Sequence, residues 1–94
     1  SIEIIYVLKG SLHIKIDTDS FVLNEKEVEI INSDESHEIK SDDDNKVLIF
    51  NIDPYFFGKY YKDIKDKQKR KVKLIDRFYS EIKLDRNIKW RGIR

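Results

Sequence analysis

Short apolar runs, each cut off by turn residues, dominate residues 2–52 and leave little room for any long helix. Ile2, Ile4 and Tyr6 alternate with Ile5 and Val7, so both faces of this segment are mainly apolar. That is the signature of a strand covered on two sides. Lys9-Gly10-Ser11 reads as a turn, with glycine supplying the unusual backbone angles. Leu12, Ile14 and Ile16 then alternate with His13 and Lys15, a half-buried strand that closes a β-hairpin. Phe21-Val22-Leu23 reads as the next strand. Val28 and Ile30, alternating with Glu27 and Glu29, form another. Asn32–Ser36 reads as a polar loop, Glu38-Ile39-Lys40 as a short extended piece, and Val47–Ile52 as a nearly continuous apolar strand. Closely spaced strands and turns of this kind predict an antiparallel sandwich or barrel. The absence of βαβ alternation disfavours a parallel sheet.

After Asp53-Pro54 the period changes. Asp can cap a helix and Pro suits its first position. Phe56, Phe57, Tyr60, Tyr61 and Ile64 recur at helical spacing, with Gly58 as a weak point within the run. Asp66–Lys71 reads as a charged connection, and Val72, Ile75, Phe78 or Tyr79, and Ile82 as the apolar stripe of a second helix of roughly 12 residues. The alternation of Lys71–Ile75 also fits a strand. Asn87–Arg94 reads as a basic tail carrying the single Trp.

Charge divides the chain at nearly the same point. Residues 1–58 hold five basic and thirteen acidic side chains, a net of −8; residues 59–94 hold fourteen and five, a net of +9. Such asymmetry marks either a basic interaction segment or two halves that pack together. Over all 94 residues the net charge is only +1, so bulk charge names no partner. The chain is one small domain with a modest core. No run is long enough for a transmembrane helix, and Ile2-Glu3-Ile4-Ile5 at the start leads us to expect no signal peptide. The lack of Met leads us to expect a fragment, and the abundance of Ile and Lys a bacterial gene. Without cysteine there are no disulfides, no thiolate catalysis and no Cys-type zinc site.

Three residues carry candidate chemistry. Glu3 is a carboxylate within an apolar strand, on the same pleat face as Ile5 and Val7, so it needs a partner, a proton or a metal, unless it meets water at an edge near the chain end. His37, at the end of the polar loop, can face a barrel mouth. His13 lies on the face opposite Leu12, Ile14 and Ile16, as an ordinary strand residue does. No nucleophile elbow and no phosphate loop is present. Asp42-Asp43-Asp44 lacks the glycine and downstream glutamate of a calcium loop.

Glu3 to Leu12, with six residues between Glu3 and Gly10, resembles the end of the first motif of cupin-type N-terminal domains in AraC-type transcription regulators. Glu27 to His37 resembles the approach to the second motif, and Val47–Phe57 the last strand with its Asp-Pro entry to a helix. The resemblance covers about two-thirds of the chain. It departs from the family where Lys26, Asn32 and Asp34 stand in place of the usual Gly, Pro and Gly, and the His-x-His pair of the first motif has no counterpart here.

The resemblance implies a mainly β fold, a small antiparallel cupin-like jelly-roll barrel over residues 1–53, followed by one or two α-helices over 54–94. It implies a ligand-sensing, non-enzymatic module in the bacterial cytoplasm. A small, sugar-like effector would sit among Glu3, Tyr6, His13 and His37, with no metal and no cofactor. A homodimer would form through Val72, Ile75, Tyr79 and Ile82, and DNA would be contacted only through a domain absent from this chain. Two other classes stand beside it: a small metal-dependent cupin enzyme, and a nucleic-acid binder using the basic segment 59–94.

Overall fold

The computed structural model describes residues 1–41 and 44–91, apart from the side chains of Phe56, Phe57, Lys59, Tyr60 and Ile82. The chain is mainly β. Strands β1 (Ile2–Lys9), β2 (Leu12–Ile16), β3 (Asp19–Leu23), β4 (Glu27–Ile31), β5 (His37–Lys40) and β6 (Lys46–Ile52) come first. A 3-10 turn (Pro54–Phe57), α1 (Gly58–Asp63), α2 (Lys67–Arg77), a wide π-type turn (Phe78–Ile82) and β7 (Lys89–Trp90) follow. Two sheets form, one in the order β6-β1-β4-β7 and one in the order β3-β2-β5.

Period-two patterning explains the layering. Ile5 and Val7 on one face of β1 join Leu12, Ile14, Ile16, Leu23 and Ile31 in the core between the sheets. Ile2 and Ile4 on the opposite face join Val28, Ile30, Tyr61, Leu74, Ile75 and Phe78 beneath the helices. The first sheet is thus a middle layer with apolar residues on both sides, as the run Ile2–Leu8 predicts. At the β1–β2 turn Gly10 has φ +82, and a Cβ there would come within 2.9 Å of the Asn45 Cβ. Glycine is required at that point by both angle and space.

Four expectations need correction. Among the described residues the two sheets are separate ladders with no hydrogen-bonded seam that closes a barrel. β7, expected as part of a loose tail, pairs in parallel with β4, Glu27 opposite Lys89 and Val28 opposite Trp90. Residues 54–64 are not one helix, because Gly58 at φ +76 ends the 3-10 turn and redirects the chain. The expected charged connection is instead the first half of α2: Asp66 caps it by accepting from the Lys69 N–H at 2.9 Å. Lys71–Ile75 is accordingly helical rather than a strand.

The buried face of α2 and the turn after it keeps Ile75 and Phe78 of the expected stripe but not Val72. Arg70, Lys71, Leu74 and Ile75 turn inward, with Phe78 following, while Val72 is exposed. Ion pairing of the two basic residues, rather than apolar content alone, sets this face. The expected dimer stripe therefore does not form one outer surface: Ile75 lies in the core and Tyr79 is half-buried against it. The Ile82 side chain lies outside the described residues, as do those of Phe56, Phe57 and Tyr60 in the aromatic stripe. Asp42 and Asp43 of the acidic turn and residues 92–94 of the tail fall there too. No helix among the described residues is long and apolar enough to cross a membrane.

Candidate functional site

Of the four expected ligand residues, the fold brings two together. β1 carries Glu3 on the face toward the second sheet, and β5 begins at His37, opposite Ile16 of β2. The His37 Nε2 lies 3.0 Å from the Glu3 Oε2. The two atoms are close but not aligned for a hydrogen bond, and that oxygen has no hydrogen-bond partner among the described residues. The hollow beside His37, with Lys15, Asp17, Ser36 and Glu38, is about 160 Å³. That is below the ~300–1,000 Å³ of ordinary small-molecule sites. Tyr6 points to the opposite face of β1, toward the helices. His13 is exposed on the outer face of the second sheet, beside a hollow of about 370 Å³ with Lys15, Phe21 and Glu38.

Tyr6 leads instead to an apolar groove of about 540 Å³ on the helix side of the middle layer. Its floor is Ile4 and Tyr6 of β1 with Leu48 and Phe50 of β6, and its far wall includes Phe78 and Trp90. Pairing registers explain the floor: Ile4 lies opposite Phe50 and Tyr6 opposite Leu48, so these side chains share one pleat face. On the wall, Trp90 and Phe78 stack with ring centroids 6.3 Å apart at 4°, and the Trp90 Nε1 donates to the Tyr79 Oη at 2.8 Å. Helix α2 covers the β4 side of this face, while Leu48 and Phe50 are about half exposed on the β6 side. The groove can hold an apolar or aromatic molecule. Sequence reading missed it because its far wall needs Trp90 of β7, a two-residue strand that local patterning does not announce.

Under α2 lies a polar cluster of a different kind. The Lys71 Nζ is 3.2 Å from the Glu29 Oε1 and 3.3 Å from the Glu35 Oε1, with all three side chains nearly enclosed. Asn32 donates from its backbone N–H and its amide to that Glu35 oxygen at 2.9 and 2.8 Å. The Tyr61 hydroxyl donates to the Asn32 Oδ1 at 2.5 Å. The Arg70 Nη2 donates to the Asp34 Oδ2 at 2.8 Å. Burial raises the Glu29 carboxyl above the usual range against the pull of Lys71. It also pushes the Tyr61 hydroxyl up to about 12. Asp34 is held low by the Arg70 hydrogen bond. The loop Asn32–Ser36, polar in sequence, is thus partly interior. A cavity of about 400 Å³ beside Glu29 and Lys71 is lined mostly by these groups and by Asp17, Asp19 and Arg91.

Four bases of the second half pair with acids of the first. Asp17–Lys67 at 3.0 Å, Asp34–Arg70, Glu29–Lys71, Glu35–Lys71 and Asp19–Arg91 at 3.5 Å each join a first-half acid to a second-half base. The charge asymmetry of the sequence is thus matched by contacts between the halves. Among the described residues no three His, Asp or Glu side chains converge as metal ligands. Comparison with protein-family models, with curated proteins and with solved structures finds no match to this chain.

Proposed function

We propose that the chain is a small-molecule-sensing module that binds an apolar or aromatic effector in the groove above Ile4, Tyr6, Leu48 and Phe50. Its setting, on the resemblance of Glu3–Leu12 and Glu27–His37, is a homodimeric AraC-type transcription regulator with a cupin-like sensing half. One observation carries the reading: a mainly apolar groove of about 540 Å³ is walled by aromatic side chains, with a few polar groups nearby. That combination is what small-molecule sites usually present. The effector in this reading is less sugar-like than the sequence suggests, because the groove offers few hydrogen-bonding groups. Occupancy acts by favouring one arrangement of the segment from Phe78 to Trp90, which forms the far wall.

The single Trp reports directly. Titration with 1-anilinonaphthalene-8-sulfonate is expected to change Trp90 fluorescence saturably in the folded protein, and Phe50→Ser to weaken the effect about tenfold. No saturable change up to about 1 mM removes the reading. The regulator setting is tested separately by the gene: a helix-turn-helix domain encoded after Arg94 supports it, and its absence from the full gene removes it.

A direct nucleic-acid interface over 59–94 fits less well, since Lys67, Arg70, Lys71 and Arg91 are turned to acids of the same chain. A salt-titrated DNA-binding assay discriminates, because phosphate contacts fall steeply with salt.

A further inference from the structure

We infer that β6 pairs with β6 of a second copy, making the two middle sheets one continuous sheet across a twofold axis. The inference rests on the homodimer of the reading above but on a different surface from the expected helix stripe.

The four sheet edges differ sharply. β3 presents Asp19 and Ser20, β5 presents His37, Glu38 and Lys40, and β7 is only two residues long. Charge, polarity and shortness are the usual means of blunting an edge. β6 has none of these over most of its length. It runs seven residues, is paired among the described residues to β1 on one side only, and exposes Leu48, Ile49 and Phe50 at 44%, 46% and 52%. It contains neither proline nor glycine, and one charge, Lys46 at its start.

The strand is complementary to its own reverse. A twofold axis normal to an antiparallel ladder sets one residue against its own copy. Centring it on Ile49, the middle of the strand, uses all seven residues. Leu48 then faces the second copy's Phe50 on the groove side, and Lys46 lies opposite the second copy's Ile52, which keeps the two lysines at opposite ends of the ladder. A parallel arrangement would set Lys46 against Lys46. Charge therefore favours the antiparallel pair. The same register adds a second Leu48 and Phe50 to the open rim of the groove, so the ligand site is completed by the second copy. An interface built on one seven-residue ladder lies at the small end of specific interfaces, with a dissociation constant of about micromolar order.

Sedimentation over about 1 μM to 0.5 mM is expected to show a monomer–dimer equilibrium. Ile49→Lys, which sets two lysines opposite each other on the axis, is expected to raise the dissociation constant about tenfold or more. Val72→Lys on the exposed side of α2 is expected to leave it unchanged. A strict monomer at about 0.5 mM, or a dimer lost in Val72→Lys and kept in Ile49→Lys, overturns the inference. Should Ile49→Lys fail to fold, the cysteine-free chain permits a second measurement. Ile49→Cys is expected to form a disulfide-linked dimer on mild oxidation faster than Val72→Cys. Equal or slower linkage overturns the inference as well. A dimer that passes these tests but binds no probe removes the sensor reading alone; a monomer that binds probe removes only this pairing.

Discussion

The two flanks of the middle sheet solve the same covering problem in opposite ways. On the β4 side, α2 lies over Val28 and Ile30, and acids from β4 and its following loop pair with Arg70 and Lys71. On the β6 side no helix among the described residues covers Leu48 and Phe50, and the strand edge is open among them. The difference teaches where the chain's cover runs out. One short helix of eleven residues spans about 17 Å, enough for part of a four-stranded sheet and not for all of it. What remains bare is apolar, continuous and next to a groove, which is where binding is expected.

The sharpest way to break this contrast is Lys71→Ala. It leaves Glu29 and Glu35 buried without their cation, and loss of one partner of a buried pair costs about 3–5 kcal/mol. Leu74→Ala, in the core at 1% exposure, is expected to cost about 2–5 kcal/mol. Urea unfolding measures both. Losses under about 1 kcal/mol in the two variants together would mean that the α2 flank is not the stabilising one.

Which flank would be covered was only partly legible in the sequence. The middle layer was readable: Ile2, Ile4, Ile5 and Val7 are apolar on both pleat faces, and that alone implies cover on two sides. Glu3, on the face of Ile5 and Val7, signalled a need for a partner, and the fold supplies His37 at 3.0 Å. The orientation of α2 was only partly readable from apolar spacing, because its buried face includes Arg70 and Lys71. Their partners Glu29, Asp34 and Glu35 lie more than thirty residues away. Burial of paired charge depends on that long-range meeting, which no local pattern records. β7 escaped for a similar reason. Two residues carry no period, and only the open edge of β4 makes Lys89–Trp90 a strand. The groove inherits this opacity through its Trp90 wall, while its floor, the strand Val47–Ile52, was in plain view.

Finer variants sharpen the account of the α2 flank. Tyr61→Phe removes the hydroxyl that donates to the Asn32 Oδ1 and leaves a buried acceptor unmatched, at a cost of about 1–3 kcal/mol. Glu29→Gln addresses pH. The folded-state carboxyl is raised by burial, so the folded chain holds its proton to higher pH than the unfolded chain does. The wild type is then most favoured relative to the variant at low pH, below the ordinary glutamate range. That advantage shrinks as pH rises from the ordinary value through the raised one. Asp34, held low by Arg70, acts in the reverse sense, with its stabilisation lost as pH falls through its lowered value. Thermal unfolding of both proteins between about pH 4 and 7 resolves the Glu29 window. A difference that grows with pH would contradict the assignment.

The smallest effect on stability is expected on the bare flank, and it is the most informative about function. Phe50 is half exposed and touches the groove rather than the enclosed core. Phe50→Ser, measured at about 0.1 μM, well below the dimer dissociation constant so that copies are mostly apart, is expected to change unfolding free energy by within about 0.5 kcal/mol. The same substitution is expected to weaken probe binding at Trp90. A change confined to binding separates a surface kept for partners from one kept for folding. A loss of about 2 kcal/mol or more, of the kind associated with cavity formation in a core, would instead show that β6 contributes to the fold as strongly as the residues under α2, and the contrast between the flanks would fail.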